Sequence, residues 1–198
     1  MRKNYILSKI NKIAFCAVML FVLLFYSNAI GRQIDYFNKP QVGIWFGVLT
    51  PLYTTYDQLH TSLGGGGFLR LFTPVDNLKI GLDSSYQYYT SKKTDGVNTL
   101  TLVPVYGNLL YRIPLPAKIP LIFQLKAGAG GSWVKIRPDR ESQWDPMGMV
   151  GFEGSFAAGR TINIGFRIDY LLIYEKYIEG AKRNGHVLNS GITLYFNI

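Results

Sequence analysis

Eight times along this chain, apolar and polar residues take turns. In TINIGFRIDYLLIYEK, Thr161 to Lys176, the residues Ile162, Ile164, Phe166, Ile168, Tyr170 and Leu172 share one face. Asn163, Gly165, Arg167 and Asp169 begin the other. Side chains alternate between two faces in a strand and drift around the axis in a helix. A chain built from such runs must therefore bury one face of a β-sheet and satisfy the other.

The remaining seven runs follow the same rule. QVGIWFGVL places Val42, Ile44, Phe46 and Val48 opposite Gly43, Trp45 and Gly47. LGGGGFLRLF sets Leu69 and Leu71 against Arg70, and NLKIGLDSSYQYY sets Ile80, Leu82, Tyr86 and Tyr88 against Lys79, Gly81 and Asp83. TLVPVYGNLLYR, PLIFQLKAGAGG, GMVGFEGSF and HVLNSGITLYFNI continue the pattern, with Arg112, Lys126, Glu153 and Thr193 on the polar side. The breaks alternate in size. TPVDN, IPLPAKIP and AAGR are short, whereas Pro51–Ser62, Ser91–Asn98, Trp133–Asp145 and Glu175–Gly185 are longer and polar. Both chain ends and the short turns are thus expected at one end of the sheet. Two local conflicts are expected to show: a bulge or a break in the ladder at Pro104, which lacks the N–H a ladder needs, and a bulge or tight bend at the four glycines Gly64 to Gly67, which weaken a strand.

Alternation leaves open which face is wet. Four features favour an apolar exterior. Most runs reach the 9–11 residues or so that cross a bilayer at a 45° tilt. The polar phase is rich in glycine, which suits the crowded interior of a small barrel. Charges of both signs share that phase, as a buried network requires: Arg70, Lys79, Asp83, Arg112, Lys126, Glu153, Arg167 and Asp169. Aromatic residues gather near strand ends in the apolar phase, as in the interfacial girdles of membrane barrels. The expected fold is all-β, an eight-stranded antiparallel up-and-down transmembrane β-barrel. Lipid-facing positions would include Val42, Ile44, Phe46, Ile80, Leu82, Leu125, Phe152, Ile164, Phe166, Ile168, Leu194, Phe196 and Ile198. The alternative is the inverted arrangement, a secreted or periplasmic lipocalin-like barrel with an oily cavity.

Residues 1–29 read as a signal peptide and residues 30–198 as the barrel domain. Arg2, Lys3, Lys9 and Lys12 precede the apolar run Ile13 to Tyr26, and SNA offers small residues for cleavage. The one cysteine, Cys16, lies in that run. Without the segment the formal net charge of +9 falls by four, and the basic residues that remain are dispersed, with no nucleic-acid surface.

The leader ending in SNA, the run TLTLVPVYGNLLYRI, the hairpin MVGFEGSFAAGRTINIGFRIDYLLIY and the end SGITLYFNI together resemble the bacterial outer-membrane β-barrel superfamily of OmpA-like and opacity-type proteins. The resemblance implies an outer-membrane location and outer-membrane lipids as partners. It also implies an assembly machinery that reads the last strand through Leu194, Phe196 and Ile198. A bare barrel without a periplasmic domain is expected.

No cofactor, metal or catalytic group is expected. His186 and Ser190 are four residues apart on one strand, about 13 Å, too far for a histidine to activate the serine. His60 and Ser62 are closer in sequence but lie in a loop without an acidic partner. Asp139, Glu141 and Asp145 sit among Arg137 and Arg140 and read as an ordinary mixed-charge surface. The expected role is a structural anchor displaying surface loops, with Tyr53, Tyr56, Trp133, Trp144 and Tyr177 as candidate contacts to a host or extracellular ligand. Alternatives are a narrow channel or carrier for small apolar solutes and, least favoured, a lipid A-modifying membrane enzyme.

Overall fold

Each alternating run is a strand, and each strand pairs antiparallel with its neighbours in sequence. The computed structural model describes residues 39–92, 98–115, 121–137, 142–174 and 184–198. The leader segment, Tyr177, Asp139 and Glu141 lie outside these residues. The strands are β1 (Gln41–Pro51), β2 (Ser62–Phe72), β3 (Leu78–Thr90), β4 (Thr99–Ile113), β5 (Leu121–Arg137), β6 (Ser142–Ala157), β7 (Ile162–Ile173) and β8 (Gly185–Asn197). They form a closed barrel in sequence order, β8 pairing with β1. Closure leaves no sheet edge, so every strand has two hydrogen-bonding neighbours. The seam is stapled at the chain end by Gln41 Nε2 donating to Asn197 Oδ1 at 2.8 Å and by the Ile198 N–H donating to the Pro40 carbonyl at 2.9 Å.

Turn chemistry agrees with the topology. In the β2–β3 turn, Asn77 adopts φ 62°, a left-handed conformation that asparagine tolerates. The Thr73 hydroxyl donates to the Leu78 carbonyl at 2.8 Å across the same turn. The turns 73–77 and 158–161, the start of β1 and the end of β8 lie at one end; the end of β1 and start of β2, and likewise those of β3 and β4, β5 and β6, and β7 and β8, lie at the other, the loop end.

Two expectations require correction, and a third is decided between its alternatives. The polar stretch Trp133–Asp145 is not a long loop, because β5 and β6 run through it and only residues 138–141 separate them. Gly64 to Gly67 form no bulge: the register with β1 and β3 is continuous across all four. Pro104 likewise causes no bulge. The β3–β4 ladder pairs through Ser84↔Val105 and resumes at Gln87↔Leu102 in the same register, so the proline produces the ladder break alone. On its other side Pro104 pairs regularly with Ser132 of β5.

Small residues set the packing inside. At Gly43 a Cβ would stand 2.5 Å from Phe68 Cζ and 2.5 Å from Tyr195 Cβ. The absence of a side chain there lets Phe68 of β2 and Tyr195 of β8 meet over Gly43 in a T-shaped contact, with centroids 6.1 Å apart.

Candidate functional site

The middle of the barrel interior holds six ionised side chains, three acidic and three basic, each buried. Arg70 of β2 reaches across to Glu153 of β6, its two terminal nitrogens donating to Oε1 at 2.8 Å and Oε2 at 2.7 Å. Lys126 of β5 sits 2.6 Å from Asp169 Oδ1 and 3.7 Å from Glu153 Oε2. Arg167 of β7 donates through Nη1 to Asp83 Oδ1 at 3.0 Å, through Nε to Asp169 Oδ2 at 2.5 Å and through Nη2 to the Tyr106 hydroxyl at 3.1 Å; Nη2 also contacts Asp169 Oδ2. Asn108 Nδ2 donates to the other Asp83 oxygen at 2.5 Å. The guanidinium of Arg70 lies 4.0 Å from the centroid of the Phe68 ring, and that of Arg167 4.9 Å from the centroid of the Trp45 ring. Opposite signs alternate through the cluster, so each charge removed from water gains partners in a low-dielectric interior. Lys79 and Arg112 point inward nearer the short-turn end, where Lys79 Nζ donates to the Lys39 carbonyl at 3.2 Å.

Alternation places the inward phase but gives no warning that its loop-end half is rich in large apolar residues, among which Gln87, Ser132 and Asp145 are also buried. Beyond Arg167 and Asp169, the same phase of β7 continues into Leu171 and Ile173, both fully buried. Leu49, Leu102, Met147, Met149 and Val187 converge on them from four other strands. The interior is thus layered: a charge network in the middle and an oily stopper above it. Leu59, from the first long connection, inserts into the stopper. That connection is fastened down on two sides. Its His60 N–H donates to the Thr90 carbonyl at 2.9 Å and its Leu52 N–H to the His186 carbonyl at 2.9 Å. The Lys92 ammonium covers the Tyr56 ring 3.4 Å from its centroid and donates to the Tyr56 carbonyl at 2.5 Å.

The candidate loop contacts divide. Tyr53 and Tyr56 are exposed on the first connection, around a single 3-10 turn, Tyr53–Thr55. Tyr53 has φ 53°, a strained conformation for a bulky residue, and its ring meets His186 edge-on at 5.1 Å. His186 Nδ1 is 2.6 Å from the Tyr170 hydroxyl. Trp133 and Trp144 are not loop residues: they are cross-strand partners in the β5–β6 ladder, on the outer face. The proposed lipid-facing residues all lie on that face. Among them Ile44 is 63% exposed and Phe46 62%, while Phe123, Phe152 and Phe166 form an aromatic row across β5, β6 and β7 with centroids 5.5 and 5.9 Å apart.

The Ser62 hydroxyl is 3.4 Å from the neighbouring Leu63 carbonyl. Asp145 turns inward and accepts from Gln143 Nε2 at 2.8 Å, leaving Arg137 exposed on the outer side. Among the described residues no group of three or more His, Cys, Asp or Glu is placed to hold a metal ion.

No protein-family model matches the sequence, and no curated protein matches it. Solved structures do match in shape. Neisserial surface protein A superimposes with a TM-score of 0.59 at 11% identity, over 80% of this chain and 97% of that one. In fold, this chain resembles a small outer-membrane barrel. The N-terminal β-barrel domain of Pseudomonas aeruginosa OprF gives 0.51 at 17% identity, over 81% of this chain and 98% of that domain. The outer membrane protein OprG of the same organism gives 0.50 at 12%, over 81% and 97%. At such identities the likeness is one of architecture, the closed eight-stranded antiparallel barrel.

Proposed function

We propose that this chain is an integral outer-membrane protein whose barrel anchors it in the bilayer and holds its loop-end connections at the cell surface, where they meet a host or extracellular ligand. One observation carries the membrane reading. Polarity is inverted relative to a water-soluble barrel: large apolar side chains such as Ile44 and Ile192 are more than 60% exposed, while Arg70, Glu153, Arg167 and Asp169 are wholly buried. Soluble proteins rarely expose contiguous apolar surface on this scale. Dimensions agree. The outward residues of β5 stay apolar from Leu121 to Trp133, about 29 Å along the membrane normal at a 45° tilt.

The surface reading rests on the first connection. Its strained Tyr53 is 70% exposed and Tyr56 54%, both on a backbone fixed to β8 and to the second connection. Rigid aromatic side chains make contacts at low entropic cost. Two measurements test the proposal. Folded protein in detergent should migrate faster on an unheated gel than after boiling and should fractionate with the outer membrane; a chain soluble without detergent would refute it. In intact cells, externally added protease should cut the connections 52–61 or 174–184 and spare 73–77 and 158–161. The reverse pattern would refute the display of these loops.

A further inference from the structure

The outer face is not uniform. Across β2 to β4 it sinks into an open groove of about 540 Å³, walled by Leu69, Leu82, Tyr86, Val103 and Val105. Gly65 and Gly67 are the outward residues of β2 at its floor. Beside them the β3–β4 ladder is unpaired between Ser84↔Val105 and Gln87↔Leu102. Gly67 is not demanded by the sheet: a Cβ there would meet nothing nearer than the Gly43 carbonyl oxygen at 3.6 Å, an ordinary contact. A glycine in a strand costs backbone entropy and packs nothing. Its effect here is to keep the groove open.

Two cations lie beyond the β4 wall of the groove, toward the loop end. Val103 on its wall pairs with Trp133 of β5, and Thr101, two residues toward the loop end, pairs with Lys135. Trp133, Lys135 and Arg137 follow one another on the outer face of β5, and Lys135 Nζ is 5.9 Å from the centroid of the Trp133 ring. The apolar outward stretch of β5 ends at Trp133, so on the membrane reading the tryptophan lies at the interface and the two cations at headgroup level.

We propose that this face is a binding site for one anionic bilayer lipid, with an acyl chain lying in the groove over Gly65 and Gly67 and the headgroup phosphate against Lys135 and Arg137. The inference rests on the membrane reading above. Oily walls, a floor of glycine backbone with the small Ser84 beside it, and two cations beyond the β4 wall match an acyl chain and an anionic head in both shape and charge, and a zwitterionic head would forfeit the second match.

The test uses the full chain folded in dodecyl maltoside and native mass spectrometry with dioleoylphosphatidylglycerol or dioleoylphosphatidylcholine at equal concentration. Heat-modified gel migration confirms folding of every variant. Wild type should retain one phosphatidylglycerol at about tenfold higher occupancy ratio than phosphatidylcholine. The double variant Lys135→Gln, Arg137→Gln should bring the two lipids to equality. Gly67→Leu, which fills the groove where there is room for it, should cut retention of both about tenfold, and Val105→Trp should do the same from the opposite wall. Undiminished retention in both groove variants, or an undiminished headgroup preference in the charge variant, overturns the proposal. A wild-type chain that needs no detergent overturns the membrane reading first, and a heat-modifiable barrel without lipid preference overturns this site alone.

Discussion

Replacing Glu153 by alanine should be among the most damaging single changes in this barrel. Its carboxylate is wholly buried and accepts both terminal nitrogens of Arg70, with Lys126 3.7 Å from the same group. Truncation leaves two cations facing each other across the lumen with one anion fewer. Removing one member of a buried ion pair costs about 3–5 kcal/mol, mostly as the penalty of the charge left behind. The Phe68 ring, 4.0 Å from Arg70, recovers a fraction of this. The unfolding equilibrium in urea should accordingly shift by about 150- to 5000-fold, at a conversion of about 1.4 kcal/mol per decade. Removing both partners, as Arg70→Met with Glu153→Leu, should recover most of that loss, because the stranded charge is gone and volume is kept. The measurement is reversible urea unfolding of detergent-refolded protein, followed by tryptophan fluorescence and gel migration. A loss below about 1 kcal/mol for Glu153→Ala, or a double variant worse than the single, would refute the reading of the interior as a mutually neutralising network.

Other changes probe the remaining layers. Phe166→Arg, on the outer aromatic row, should cost about 2–4 kcal/mol in bilayer folding, read from the same titration in lipid vesicles. Leu171→Ala, fully buried in the oily stopper, should cost about 2–5 kcal/mol without altering the charge network, so the double-variant rescue above should persist in its background. Gly43→Val would drive a side chain into Phe68 and Tyr195, and should abolish the heat-modifiable form. The amide of Ser85, which points toward β4 within the unpaired stretch of the β3–β4 ladder, should exchange with deuterium faster than that of Asp83, which points the same way in its paired part.

Most of the fold was legible because a closed barrel with faces of opposite polarity enforces alternation residue by residue. Ile164, Phe166 and Ile168 against Arg167 and Asp169 can be read directly as outside and inside. Legibility failed where that constraint relaxes. Past Asp169 both phases of β7 turn apolar, so YLLIY shows no alternation, and the stopper of Leu171 and Ile173 is hidden in an unbroken greasy run. Beyond Trp133 the outward phase of β5 turns charged, with Lys135 and Arg137. There charged residues and Pro138 give a loop-like composition, although the ladder continues through Trp133↔Trp144. The network members could be named from their phase. Their partners could not, because Arg70 and Glu153 stand 83 positions apart and meet only through the curvature of the closed sheet.

The staple between Gln41 and Asn197 joins residues 156 positions apart, the first strand to the last. Until β8 arrives, the polar wall that will become the lumen is an open trough, and a nascent or truncated chain presents it to whatever surrounds it. Losing even the final strand should therefore turn a lipid-compatible cylinder into a wet gutter, a form that proteolytic surveillance can tell from a finished barrel by its unclosed edge alone.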